Sequence, residues 1–425
     1  DAQVDVAGAV KLDNQLVSNA TTGAAAVGVG GVSVNGAVSL ASTRTRMDTF
    51  IGQGVRLNAG SLSMVSDAAM NARAYLISGS VSSTAAVGLS AAVAILSPTV
   101  LTYIGATPEG FDAAQGASSA AVGKVTVEND ILIKNDILDS NAIATVLSLS
   151  AGVNGSVNGN VLLIFNETSG VAGISRANVE AARIAIDANN TVKAESFLAA
   201  GTVGSVAVGI SVSYVHLRAD NRAIIDTEGV SVIADIVEVY AGRENARNSA
   251  EASAKSVAGS AGAINVGVNA AIADNDARNI AAIFGNGTLV ARDALTILAN
   301  GKATAFAELT GLDIGGVSVA ASVVVAVLRN EQRAELDGPN VQAGDITVRS
   351  ALNEDDRVTT SATMHTGGGA LFNARANVAV AYGRSASTAL FRPATLTATG
   401  DLDIASTGHA DTEAKIDNQA GFSYI

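Results

Sequence analysis

Hydrophobic and polar residues alternate with period 2 through most of the chain, the spacing of a strand that turns one face inward. The clearest stretch is Gly315–Val327, GGVSVAASVVVAV, a strand opened by a glycine pair. Relatives of it stand at Ala24–Leu40, Thr84–Leu96, Val203–Val215 and Gly262–Ala273. A shorter apolar-x-apolar strand recurs at Leu62–Met64, Ile131–Ile133, Ile184–Ile186, Val237–Val239, Leu295–Ile297, Ile346–Val348 and Leu402–Ile404. A second marker, the apolar end of each long strand, falls at Ile51, Ile104, Ile174, Ile225, Ile283, Leu336 and Leu390. Successive short strands are 51 to 58 residues apart except for one gap of 69, which holds an insertion, Gly105–Lys124, rich in Ala, Gly and Ser. With the insertion removed the chain keeps a period of about 53 residues, and an eighth, partial copy is expected around Val4–Leu12.

Every unit has the same order: short strand, polar corner, Ala-alternating segment, glycine-containing turn, long Val/Ala/Ser strand. The Ala-rich segments, such as Ala246–Lys255, have helical propensity. Interspersed Ser, Gly and Val, and plain alternation in the equivalent segments, favour strand there. A unit of strands and turns buries its apolar face only against its neighbours. The pattern therefore predicts an all-β fold, a repetitive parallel β-solenoid (β-helix) of seven to eight units with wide, flattened coils. Two turns of about half the length per unit, or stacked antiparallel hairpins, are the alternatives. Residues 1–425 read as one continuous array, a segment of a longer chain whose uncapped edges would pair with another copy or with further repeats.

Composition narrows this further. Glycine numbers 43, cysteine and tryptophan are absent, and aromatic residues make up 4%. No disulfide framework or thiolate metal site can form. A net charge of −13 without a Lys/Arg cluster argues against nucleic acid as a partner. The apolar run Val317–Leu328 is too short for a membrane span and is bracketed by Asp313 and Arg329. The N-terminal DAQVDVAGAV has neither the basic nor the apolar region of a signal peptide.

Taken together, the repeated G-V-S-V strand (Gly31–Val34, Gly316–Val319), the A-x-A segments and the D-x-T-V or L-x-I strand (Asp345–Val348, Leu402–Ile404) resemble the repeat regions of giant bacterial secreted or surface exoproteins. The nearest group is the filamentous adhesins, including leukotoxin-like ones. The resemblance implies a secreted, surface-attached stalk.

Chemistry-bearing residues are sparse. The three histidines, His216, His365 and His409, fall in different units and phases, which disfavours a shared metal site. His365 precedes Gly367–Gly369, a faint likeness to an esterase oxyanion loop, but no G-x-S-x-G elbow accompanies it. Acid pairs of the kind that cleave polysaccharides are Asp401/Asp403, Asp274/Asp276 and Glu354/Asp355/Asp356. Gly28-x-Gly30 leads into a strand and not a helix, so dinucleotide binding fails on context. Asn-x-Thr at Asn19, Asn166, Asn189 and Asn286 reads as turn chemistry. The sequence thus predicts no catalytic, cofactor-binding or metal-binding residues. It points to a non-enzymatic extracellular rod or fibre segment that adheres, spaces or self-assembles, with cell-surface glycans as a further partner. The alternatives are a β-helix carbohydrate-active enzyme, and a binding module using the insertion as its recognition loop.

Overall fold

The computed structural model describes residues 2–108, 123–243, 248–352 and 359–420. Among the described residues strands account for 91% and there is no helix. In chain order they are β1 (Ala2–Gly52), β2 (Val55–Gly105), β3 (Lys124–Val127), β4 (Asp130–Gly152), β5 (Gly155–Ser175), β6 (Asn178–Glu180), β7 (Arg183–Val203) and β8 (Val206–Asp226). There follow β9 (Ser231–Ala241), β10 (Asn248–Phe284), β11 (Thr288–Asp337), β12 (Asn340–Leu352), β13 (Thr360–Arg392), β14 (Thr395–Ala398), β15 (Leu402–Gly408) and β16 (Thr412–Ala420). The Ala-rich segment from Asn248 onward is strand, and residues 244–247 lie outside the described residues.

All pairing is parallel, which removes the antiparallel-hairpin alternative, and partners lie about one repeat apart. The short-strand marker aligns throughout: Val10 pairs with Leu62, Leu62 with Ile131, Ile131 with Ile184, Ile184 with Val237, Val237 with Leu295, Leu295 with Ile346 and Ile346 with Leu402. The second marker aligns from Ile51 to Leu336, but its last member is Phe391, since Leu390 pairs with Glu335.

The expected open β-solenoid, or β-helix, is not what forms. Following hydrogen-bonded neighbours from β2 through β3, β6 and β9 to β11, then back through β10, β8 and β5, returns to β2. The strands form a closed eight-strand parallel barrel, with the other strands outside it. The physical reason lies in the glycine-containing turns, which the sequence pattern presents as breaks between facing sheets. In β2 and β11 the chain bends there and continues as strand, so each runs through both sides of its unit and joins them. Glycine and small residues permit such a bend without interrupting the ladder.

Three interior zones result. The two marker sets line one hydrophobic core, where Ile104, Ile174, Ile225, Ile283 and Leu336 are buried with Ile131, Ile184, Val237, Leu295 and Ile346. Each such side chain contributes about 1.5–3 kcal/mol on burial. A middle zone is dominated by alanine, with a paired column of Ala72, Ala142, Ala194, Ala252 and Ala305. The third zone, behind the glycine turns, is polar. There Ser78 faces Ser90 at 2.5 Å, Ser148 donates to Asn158 at 2.8 Å and Ser260 to Asp313 at 2.6 Å.

Asparagines brace the interior. Asn275 Nδ2 donates to the carbonyls of Ala250 (2.9 Å) and Thr304 (2.8 Å), and Asn166 does the same to Ser140 and Lys193 (both 3.1 Å). Asn135 bridges Val100 and Val171 at 2.7 and 3.1 Å. Each amide therefore ties backbone carbonyls of two adjacent strands to a third segment.

Candidate functional site

The most chemically loaded surface lies on the outer face of the short strands. In register, Lys134 on β4, Asp187 on β7 and Tyr240 on β9 stand side by side. Lys134 and Asp187 border an open groove of about 510 Å³, also lined by Asp130, Arg183 and Arg243, and a second of about 490 Å³ shares Leu132 and Lys134. Alternation places these side chains outward because the residues between them, Ile133, Ile186 and Val239, fill the core.

Most charges at the groove are matched pairwise. Arg243 donates to both oxygens of Asp187 at 2.8 and 2.7 Å, and its guanidinium sits 4.5 Å from the Tyr240 ring centroid. Arg183 donates to Glu238 at 3.0 and 2.6 Å, and Tyr240 donates to Glu238 at 3.2 Å. Lys134 pairs with Asp136, which also accepts from Asn189 at 2.7 Å. Burial pushes the Asp187 carboxyl above its ordinary value, with the Arg243 partner opposing. Burial, aided by the nearby Glu238 charge, pushes Tyr240 up to about 12, so it remains a phenol and a hydrogen-bond donor. The buried carboxylates Asp187 and Asp136 are engaged by Arg243 and Lys134, and the aromatic face is already covered. Such an arrangement cross-links neighbouring strands and offers neither a free acid pair nor an open ring for a sugar.

The sequence candidates are dispersed. His216 and Asp274 do meet, at 3.0 Å on adjacent strands, and Arg329 reaches Asp274 at 2.6 Å. Asp276 lies 3.5 Å from Arg278, and Asp403 accepts from Arg349 Nε at 2.9 Å. Asp401 uses its backbone N–H to bind Asp345 at 2.8 Å. His365 stands 3.6 Å from Asp417, and His409 stands 3.3 Å from Asp411, each pair exposed. Gly28 and Gly30 lie within β1. Asn166 is fully buried by its two carbonyl bonds, Asn19 accepts from Asn71 at 2.9 Å, and Asn286 accepts from the Gly229 N–H at 2.9 Å. Glu354, Asp355 and Asp356 lie outside the described residues, as do residues 109–122 of the insertion. The insertion leaves and rejoins at one turn, where the Ala106 N–H donates to Ser175 and the Asn178 N–H to Gly123. Among the described residues no group of three or more His, Cys, Asp or Glu side chains could hold a metal ion.

The groove escaped the sequence reading although a signal was present: Lys134, Asp187 and Tyr240 recur one period apart beside the short-strand marker. Burial disfavours the charge on Asp274, yet the bonds from His216 and Arg329 together hold its carboxyl below the ordinary 3.8. Its pairing thus stabilises the fold above pH 3.8 and is lost as the pH falls through the lower folded value. Asp274→Asn should be less stable than the parent by about 1 kcal/mol at neutral pH. That difference should close in strong acid, as measured by urea unfolding across the pH range.

No family model, curated protein or solved structure matches the chain.

Proposed function

We propose that the chain is a structural, non-enzymatic element of a secreted or cell-surface protein, acting through lateral pairing of its sheet edges. The observation that carries this reading is the pair of open parallel edges. Among the described residues β1 pairs with β2, and β13 from Phe372 to Arg392 pairs with β11; neither stretch has a partner on its other side. Phe372, Val378 and Val380 occupy the columns of Val32, Val38 and Leu40. A strand like β1 laid against β13 would therefore continue the ladder column for column. Such a junction joins two different edges, so it does not close on itself and yields an open-ended assembly. The mutual neutralisation of acids and arginines in the groove supports the non-enzymatic part, and the resemblance to filamentous adhesins supports the extracellular setting.

Electron microscopy and light scattering of the purified chain test this. Concentration-dependent linear assemblies are expected. Val34→Pro on β1 or Val380→Pro on β13 should each suppress them by removing an edge N–H and straining the added strand. Particles that stay single at every concentration, or assemblies indifferent to both substitutions, would refute edge pairing.

A further inference from the structure

The strand Gly315–Val327 and its relatives are turned the unusual way round at their glycine end. Ser318 and Ser322 are buried, whereas Val317 and Val319 are 40% and 48% exposed. The same inversion recurs in the preceding units. Val29 and Val34 are exposed over buried Ser33, Leu149 over buried Ser148 and Ser150, and Ile264 over buried Asn265. Register stacks these outward side chains into one continuous band: Val32, Ala85, Gly155, Val206, Ile264 and Val317 form one column.

The band excludes charge. Residues 25–40, 77–93, 147–163, 199–214 and 257–272 contain no Asp, Glu, Lys or Arg at all. Residues 310–325 contain one, Asp313, which is buried and bonded to Ser260. In residues 365–380 the one such charge, Arg375, turns inward to the Gly367 carbonyl. Charges resume at the borders, with Lys193 and Glu195 on one side and Arg218, Asp276 and Arg329 on the other. Aromatic side chains mark both borders: Tyr75 and Phe197 share one column, and Tyr214 and Tyr382 stand on the opposite leg.

At about 3.3 Å per residue the band reaches roughly 15 Å down one side of the turn and roughly 30 Å down the other. Seven units at about 4.8 Å make it about 34 Å long, well beyond the few hundred Å² of apolar patch ordinary for a soluble surface.

We infer that this rim embeds in the acyl region of a lipid layer. Apolar outward, polar inward, with aromatic borders and charges beyond them, is the side-chain order of strands that face lipid. The rim is convex, since the chain doubles back across it, as the 2.5 Å contact between Ser78 and Ser90 shows. A fluid phase can wrap a convex ridge, whereas a second such ridge meets it along a line. Most serine and asparagine groups that a protein interface would use point inward, leaving Ser83, Asn154 and Ser205 exposed at the turns, and acyl chains ask for none of them. Within β2 to β11 the backbone is already paired, so insertion leaves no polar backbone groups unsatisfied there.

Flotation of the full chain with neutral phosphatidylcholine vesicles in a sucrose gradient tests the inference. The parent should rise with the vesicles, equally at low salt and in 0.5 M NaCl, because no charge is used. A triple variant, Leu149→Asp with Ile210→Asp and Val317→Asp, should lose at least about tenfold of that binding, the order expected when charges enter a lipid-facing strand. A second variant, Val157→Thr with Ile210→Thr and Val317→Thr, keeps the β-branched shape where the charged one fails to fold, and should bind less than the parent. Parent protein that stays at the bottom of the gradient overturns the inference. So does self-association that the triple variant abolishes without any flotation, an outcome that assigns the band to a second copy. Val34→Pro and Val380→Pro should leave flotation in place, which separates a failure here from a failure of edge pairing.

Discussion

Asn275→Asp should destabilise the protein by about 3–5 kcal/mol at neutral pH, the cost of leaving a buried charge without a partner. Asn275 is completely buried, and its Nδ2 donates to two carbonyl oxygens, those of Ala250 and Thr304. A carboxylate there faces two acceptors with no donor, so the aspartic acid is pushed to stay protonated and its folded pKa rises above the unfolded value of about 3.9. Below that unfolded value both states carry the proton and the charge penalty vanishes. It grows as the pH rises toward the folded pKa. Urea unfolding at pH 3.5 and at pH 7 should show most of the loss at the higher pH. An equal loss at both would mean that the amide bonds, and not charge burial, set the cost. Asn275→Ala, which removes two hydrogen bonds without adding a charge, should cost about 2–3 kcal/mol at either pH.

A comparable effect is expected at the glycine turns for a purely steric reason. A Cβ on Gly262 would lie 2.1 Å from the Gly204 carbonyl oxygen, and one on Gly315 would lie 2.2 Å from the Gly262 oxygen. At these two positions the turn rests on the turn of the preceding unit with no room for a side chain. Gly262→Ala must displace backbone and should cost about 1–3 kcal/mol, against the slight gain that Gly→Ala brings through the unfolded chain. Gly31→Ala, in the equivalent turn of β1, meets nothing within 4 Å and should leave the unfolding midpoint unchanged or slightly raised. If the two substitutions behave alike, close stacking of the turns is not what selects glycine there.

Much of the architecture was legible in the sequence, because period and phase are one-dimensional quantities. Apolar positions at Leu62, Ile131 and Ile184 announce equivalence whatever surface they line, and the pairing register bears them out. The slip from Leu390 to Phe391 arose because both are apolar neighbours and the pattern alone cannot choose between them. Closure of the ladder was not legible, since a glycine that ends a strand and one that bends it look identical in sequence. Nor was the inversion at the glycine rim. Alternation separates two faces without saying which is inside, and valine opposite serine suggests the reverse of what Val317 and Ser318 do. Ion pairs such as Arg183 with Glu238 and Arg243 with Asp187 depended on contacts more than fifty residues apart, whereas pairs such as Lys134 with Asp136 are two apart on one strand.

The constant offset between paired strands also shapes how the chain reaches this state. Nearly every strand contact spans about one repeat, from Ala2 with Val55 to Leu336 with Phe391. The loop entropy of adding a unit is therefore the same wherever the unit lies, and does not grow with total length. Assembly is slow at its first step, when two whole units must find register, and then proceeds as templated growth on an existing edge. During synthesis that first step waits for about two repeats of emerged chain. Each later repeat meets a finished edge as it appears.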